Sequence, residues 1–188
     1  IANTAGKPFP DTEVRIMGED GRLLPDGERG EVVLRGYLTM SGYFNDPEAT
    51  AKTIDPDGWL HSGDIGYFDE NGDLRIEDRL KDMFITGGFN CYPAEIERLM
   101  SAHEAIGQIA VIGVPDERLG EVGKAFVVLR PGKSATEAEL IAWARANIAN
   151  FKVPRSVEFR SSLPTSPQGK VMKTTLREQE IASRGASA

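Results

Sequence analysis

The sequence predicts an α+β chain in two modules: a partial antiparallel β-barrel or meander, then a small α+β domain with a three-stranded sheet and flanking helices. Three observations predict it. Residues 1–77 carry short β-prone runs broken by turn residues. From Pro93 onward, amphipathic helical patterns alternate with near-continuous apolar runs. Between the two lies EDRLKDMFITGGFNCYPAEIER, residues 77–98, which passes from a charged cluster through a β-prone run with two adjacent glycines to a helix start. The boundary is drawn there, giving modules 1–80 and 81–188.

In the first module, residues 13–17 and 30–35 are β-rich, separated by Asp20-Gly21 and Pro25-Asp26-Gly27, which supply the positive φ that tight turns need. Asn45-Asp46-Pro47 starts a short helix, with Asp46 as N-cap and Pro47 at the first helical position. Residues 59–64, 66–68 and 73–77 read as further strands, the last two joined by a turn at Asn71-Gly72. Alone, such a meander would expose strand edges.

In the second module, Pro93 opens a helix whose Ile96, Leu99 and Met100 share one face. Residues 109–114 and 125–129 are apolar without alternation, the mark of strands buried on both faces. Thr136 and Glu139 have capping-box spacing before a helix that turns Leu140, Trp143, Ala144 and Ile148 inward. Residues 156–159 form the third strand, and SSLPTSPQGK is a loop leading to a helix from about Thr174, with a frayed tail over 183–188.

Composition narrows the class. At 188 residues and 40% hydrophobic, the chain can bury two small cores. It opens at Ile1 with neither a charged leader nor an apolar h-region, so it reads as a piece of a longer chain. No apolar run approaches the roughly 20 residues that span a bilayer, and the single cysteine, Cys91, can make no internal disulfide. A soluble, reducing, cytoplasmic setting is expected. The net charge of −7 is uneven: residues 1–80 hold 8 Lys and Arg against 17 Asp and Glu, and the rest 14 against 12. From Asn150 onward the balance turns basic, which suits an anionic ligand, whereas the overall acidity disfavours nucleic acid.

Few residues invite chemistry. Asp64, at a strand end in GWLHSGDIG, can accept two hydrogen bonds from a vicinal diol, although an Asp there is more often a turn or cap residue. Arg79 and Lys81 point to opposite faces if their segment is extended. Lys170 ends a Pro/Ser/Gly loop, where a mobile ammonium can meet a developing negative charge. From spacing alone, both that lysine and the earlier pair are equally well solvated surface charges. No GxxxxGK[ST] phosphate loop is present, and His61 and His103 lack metal-site spacing, so no metal is expected. Cys91 reads as a packed thiol.

Taken in order, GEVVLRGYLTMSGYFNDPEAT, GWLHSGDIGYFDENGDLRIEDRLKDMFITGGFNCYPAEIE, VIGVPDERLGEVGKAFVV and LPTSPQGKVMK resemble the later motifs of the acyl-adenylate-forming superfamily, and most closely its acyl-CoA synthetase branch. The resemblance implies residues 1–80 as the C-terminal, β-barrel end of a large ATP-binding domain and 81–188 as a mobile lid. It implies that Asp64 holds the ATP ribose hydroxyls with Arg79 assisting, that Lys81 is the hinge, and that Lys170 is the catalytic lysine of adenylation. Gly87 and Gly88 would belong to the strand lining the pantetheine tunnel, and Phe151 and Arg155 would touch CoA. Val153 departs from the basic residue of certain relatives, which weakens the CoA-phosphate assignment. The implied substrates are a carboxylic acid, ATP and CoA. Mg2+ is expected with ATP, its ligands lying with the phosphate loop and acyl pocket upstream of Ile1, in the remainder of the large domain. The fragment alone is expected to be inactive, no transmembrane segment is expected, and a homo-oligomer is compatible with the sequence. An adenylation domain that loads a carrier protein, or a binding module that keeps the lid fold without catalysis, are the alternatives.

Overall fold

The computed structural model describes residues 4–185. The chain divides into two compact units between Lys81 and Asp82. The first unit is an antiparallel meander of β1 (Thr12–Met17), β2 (Gly30–Gly36), β3 (Leu60–Phe68) and β4 (Leu74–Arg79), in that spatial order, with single bridges on its outer edges, Met17 to Leu23 and Leu74 to Gly6. Helix α1 (Pro47–Thr53) lies between β2 and β3 in sequence, its N-terminus capped by Asp46 Oδ1, which accepts the Ala49 amide at 2.9 Å. The period of two along each strand sends Ile16 and Val32 to one face with Phe68, and Met17 and Val33 to the other with Trp59.

Residues 59–64 and 66–68, expected as two strands, are one. β3 runs through Gly63 and Gly66 because bulges absorb the irregularity: its register shifts against β2 between Glu31 and Val33, and against β4 between Ile65 and Gly66.

In the second unit the sheet has five strands, of which β7 (Ile106–Asp116), β8 (Gly120–Leu129) and β9 (Ser156–Phe159) are the three expected. The added pair, β5 (Phe84–Thr86) and β6 (Phe89–Cys91), is a hairpin. β8 is the axis of the sheet. One edge pairs antiparallel with β7 along its length. The other edge is shared, by β5 at Gly120 and by β9, in parallel, from Lys124 to Val127.

Helices cover both faces, which explains why β7 and β8 lack alternation. Ile96 and Met100 of α2 (Pro93–Met100) and Leu140 and Ala144 of α3 (Glu137–Asn147) pack on Val111, Ala125 and Val127. On the opposite face, Leu176 of α4 (Lys173–Gly185) packs with Leu163 on Ala110, Ile112 and Phe126. The Thr136–Glu139 capping box is formed, with Glu139 Oε2 taking the Thr136 amide at 2.7 Å. Ile148 is not a helical core residue: it is the extended C-cap of α3, half-buried against the same cluster. At the other end of the chain, α4 continues through residues 183–185, where fraying was expected, because Arg184 bonds Glu180 at 2.8 Å and Pro115 O at 3.1 Å. Residues 186–188 of that tail lie outside the described residues. Among the described residues, no helix is long and apolar enough to cross a membrane.

Candidate active site

In the first unit, β3 and β4 align Asp64 with Arg79, and Arg79 Nε stands 3.3 Å from Asp64 Oδ1. The arginine side chain is 60% exposed and the aspartate 32%, so the pair adds at most about 1 kcal/mol to stability. One contact on one oxygen leaves the carboxylate acceptor capacity for a ligand hydroxyl. The turn before Asp64 is built, not slack. Gly63 adopts φ +70°, and Ser62 Oγ accepts the Asp64 amide at 3.0 Å.

Beside this turn, Glu31 bonds two groups at once. Its Oε2 lies 2.7 Å from His61 Nδ1, and its Oε1 accepts the Gly63 amide at 2.9 Å. His61 Nε2 is 3.6 Å from Asp55 Oδ2, and the Glu31 hydrogen bond, opposed by partial burial, raises the His61 pKa above its ordinary 6.5. His61 is thus an ion-pair partner. Neither Glu31 nor this role of His61 was apparent in the sequence, where the two lie 30 residues apart; the one local signal was a glycine inside a strand pattern, which marks a bulge.

Arg79 and Lys81 are not two apart in an extended segment. Arg79 ends β4, and Lys81 is exposed in a single 3-10 turn, Leu80–Asp82. Asp82, the next residue, is anchored: Arg177 Nη2 of α4 bonds its Oδ1 at 2.9 Å. Lys81 therefore stands between a strand end and a side chain fixed into the second unit.

In the second unit, Lys170 lies on a loop whose backbone is closed. Ser166 N donates to Lys170 O and Gly169 N to Ser166 O, each at 2.8 Å, and Thr165 bridges Val171. Gly169 takes φ +80°, a conformation that L side chains rarely adopt. The loop that carries the lysine is therefore braced by its own backbone. The Lys170 ammonium is exposed and has no ion-pair partner among the described residues.

Gly87 and Gly88 are not strand residues. They are the two-residue turn of the β5–β6 hairpin, with φ +57° and +88°, so their need for glycine is first a backbone one. Phe89, just beyond the turn, stacks on Phe151 with ring centroids 4.7 Å apart. The structure thus brings the Gly87-Gly88 turn and Phe151 together on one face, where Lys152 Nζ also pairs with Glu95 at 2.7 Å. Arg155 is exposed, its amide bonded to Gly123 O at 2.8 Å. Cys91 is fully buried beneath this face, and burial pushes its thiol pKa up, as suits a packed thiol. Among the described residues, no group of three or more His, Cys, Asp and Glu is placed to hold a metal ion.

Asp64 and Arg79 thus lie on the meander and the Lys170 loop on a separate α+β unit. Two family models match the chain: "AMP-binding enzyme" over residues 1–44 and "AMP-binding enzyme C-terminal domain" over residues 95–170. The chain belongs to the AMP-binding, acyl-adenylate-forming family. It is 52% identical over 180 residues to a 3-[(3aS,4S,7aS)-7a-methyl-1,5-dioxo-octahydro-1H-inden-4-yl]propanoyl:CoA ligase of Rhodococcus jostii, covering 96% of this chain and 33% of that one. A long-chain-fatty-acid–CoA ligase of Bacillus subtilis is 47% identical, covering 93% and 31%. Among solved structures, ATP-bound MatB from Rhodopseudomonas palustris superposes with TM-score 0.89 at 38% identity, covering 94% and 35%. The chain therefore spans about a third of the length of the relatives it matches.

Proposed function

We propose that this chain is the nucleotide-handling rim and the lid of an AMP-forming acyl-CoA synthetase. The carboxylate of an acid attacks the α-phosphorus of ATP, and pyrophosphate leaves to give acyl-AMP. The thiol sulfur of CoA then attacks the acyl carbon, its proton passes to solvent, and AMP leaves with the bonding pair. The observation that carries this reading is the division at Lys81–Asp82, which puts the Asp64–Arg79 pair on one unit and the Lys170 loop on the other.

Asp64 accepts hydrogen bonds from the ribose hydroxyls, and Arg79 steadies the carboxylate. Lys170, on its braced loop, neutralises charge on the pentacoordinate phosphorus. Thioester formation needs that cation withdrawn and a path opened for the uncharged pantetheine arm. A swing about Lys81 serves both steps by presenting first the Lys170 loop and then the face of Gly87, Gly88, Phe151 and Arg155. Mg2+ accompanies ATP, and its ligands are assigned to no residue of this chain.

In an enzyme of the relatives' length that carries this sequence, Lys170→Ala is expected to abolish acyl-AMP formation, read as acid-dependent pyrophosphate release, while sparing CoA transfer to preformed acyl-AMP. Equal loss in both half-reactions defeats the assignment. For the acyl group, a bicyclic ring-linked propanoate is the first substrate to test, on the strength of the identity to the Rhodococcus ligase, with medium- and long-chain fatty acids as comparison. Higher kcat/KM for the fatty acids reverses that order.

A further inference from the structure

We propose that Glu31 is a positioning residue for nucleotide binding, acting with His61 to fix the bulge that carries Asp64. This rests on the reading of Asp64 as the ribose-binding carboxylate.

Along the β2–β3 pair, Glu31 faces Ile65 and Val33 faces His61, so three residues of β3, Ser62, Gly63 and Asp64, oppose Val32 alone. A bulge of that size leaves backbone groups without ladder partners, and other groups must hold them. Glu31 does so from below. One carboxylate oxygen takes the Gly63 amide at 2.9 Å, at the middle of the arc, and the other lies 2.7 Å from His61 Nδ1, on the residue just before it, so a single carboxylate ties the arc to the strand that leads into it. Its side chain is only 17% exposed and that of His61 28%, so neither is a solvated surface group. His61 is backed in turn by Asp55, whose Oδ2 lies 3.6 Å from Nε2 and whose Oδ1 accepts the Trp59 amide at 2.8 Å.

On its other edge, β3 is irregular again just past Asp64, where the register against β4 slips between Ile65 and Gly66. Asp64 thus lies between two interruptions of the ladder. Its direction is set by side chains: Ser62 Oγ on its amide, Arg79 on its carboxylate, and Glu31 beneath the preceding glycine. Removing the Glu31 anion lets the arc relax, and Asp64 then meets the ribose in the wrong place although no ligand-touching atom has changed.

The test uses the full-length enzyme carrying this sequence. Glu31→Gln is expected to raise KM for ATP about tenfold, with kcat for pyrophosphate release changed less than about twofold. With 2′,3′-dideoxy-ATP, which offers Asp64 no hydroxyl, the variant and the parent are expected to share one KM. The double variant Glu31→Gln, Asp64→Ala is expected to be no weaker for ATP than Asp64→Ala alone. Equal KM increases for ATP and the dideoxy nucleotide, or additive losses in the double variant, overturn the proposal. An Asp64→Ala variant with unchanged KM for ATP removes the ribose role itself, and the proposal with it. If Glu31→Gln does not fold, His61→Gln keeps the Glu31–Gly63 bond and is expected to raise KM for ATP about threefold, again without effect on the dideoxy nucleotide; no rise, or an equal rise for both nucleotides, overturns it.

Discussion

Glu180 is among the few buried charged residues, and it is matched: Lys124 Nζ lies 2.5 Å from Oε2, Arg184 Nε bonds Oε1, and Lys124 reaches Glu158 at 2.9 Å. Burial opposes the Glu180 charge, but the bonds from Lys124 and Arg184 outweigh it, so the pKa falls below the ordinary 4.5. Stability from this group is therefore present above about pH 4.5 and lost as pH falls through the lowered value. Glu180→Gln should cost roughly 2 kcal/mol at neutral pH, below the ~3–5 of an isolated buried pair because Lys124 keeps Glu158. Urea denaturation at pH 7 and at pH 3 should show that difference shrinking in acid.

His61 runs the other way. Its raised pKa means that the Glu31 and Asp55 pairing contributes fully below about pH 6.5 and fades as pH rises through the folded value. Melts of the first unit between pH 6 and 9 should show this loss, and His61→Gln should abolish it. At this scale the candidate site was legible only in part. Asp64, Arg79 and Lys170 were singled out by the motifs around them and the resemblance those motifs carry, since spacing alone reads them equally as surface or turn residues. Glu31, Asp82 and Arg177 take their meaning from partners across strands or 95 residues away, which no local pattern encodes.

Among the elements, the β5–β6 hairpin shows where local reading stops. Its strands have three residues each, too short for alternation to register, so FITGGFNC read as one β-prone run. The resemblance placed the two glycines in a strand, but the structure ties them to a turn of positive φ. At Gly88 an added Cβ meets nothing within 4 Å, so Gly88→Ala should cost only the left-handed backbone term, about 1 kcal/mol, and Gly88→Asn less. Chemical denaturation separates the two, and equal stability of all three proteins would remove the turn argument. Other elements were plain because their signals are local: Asp46-Pro47 starts α1, and Thr136 with Glu139 starts α3. Thr136→Ala should lower the stability of the second unit by about 1 kcal/mol.

At the level of the whole molecule, each unit has a core of its own. The meander relies on small clusters around Ile16, Val32 and Phe68, and around Met17, Val33 and Trp59, whereas the second unit closes both faces of its sheet with helices. Leu176→Ala, which empties a fully buried position under α4, should cost about 3 kcal/mol. That loss should fall on the second unit alone, leaving a His61-reported melt of the meander where it was; a matching shift of both would show that they unfold together. The two-module division was readable because hydrophobic periodicity changes near residue 80. The five-strand sheet was not, since the edge sharing on β8 depends on which segments meet in space.

That sharing has a further consequence. An amide of β8 between Lys124 and Val127 is hydrogen-bonded in a ladder with strands on both sides, one antiparallel and one parallel. It can meet deuterated solvent only when a neighbour detaches, and β9 is only four residues long. The amides of β8 turned toward β9 should therefore exchange through partial openings of that short strand. Those turned toward β7 should wait for global unfolding, so that a single strand reports two different free energies at alternate residues.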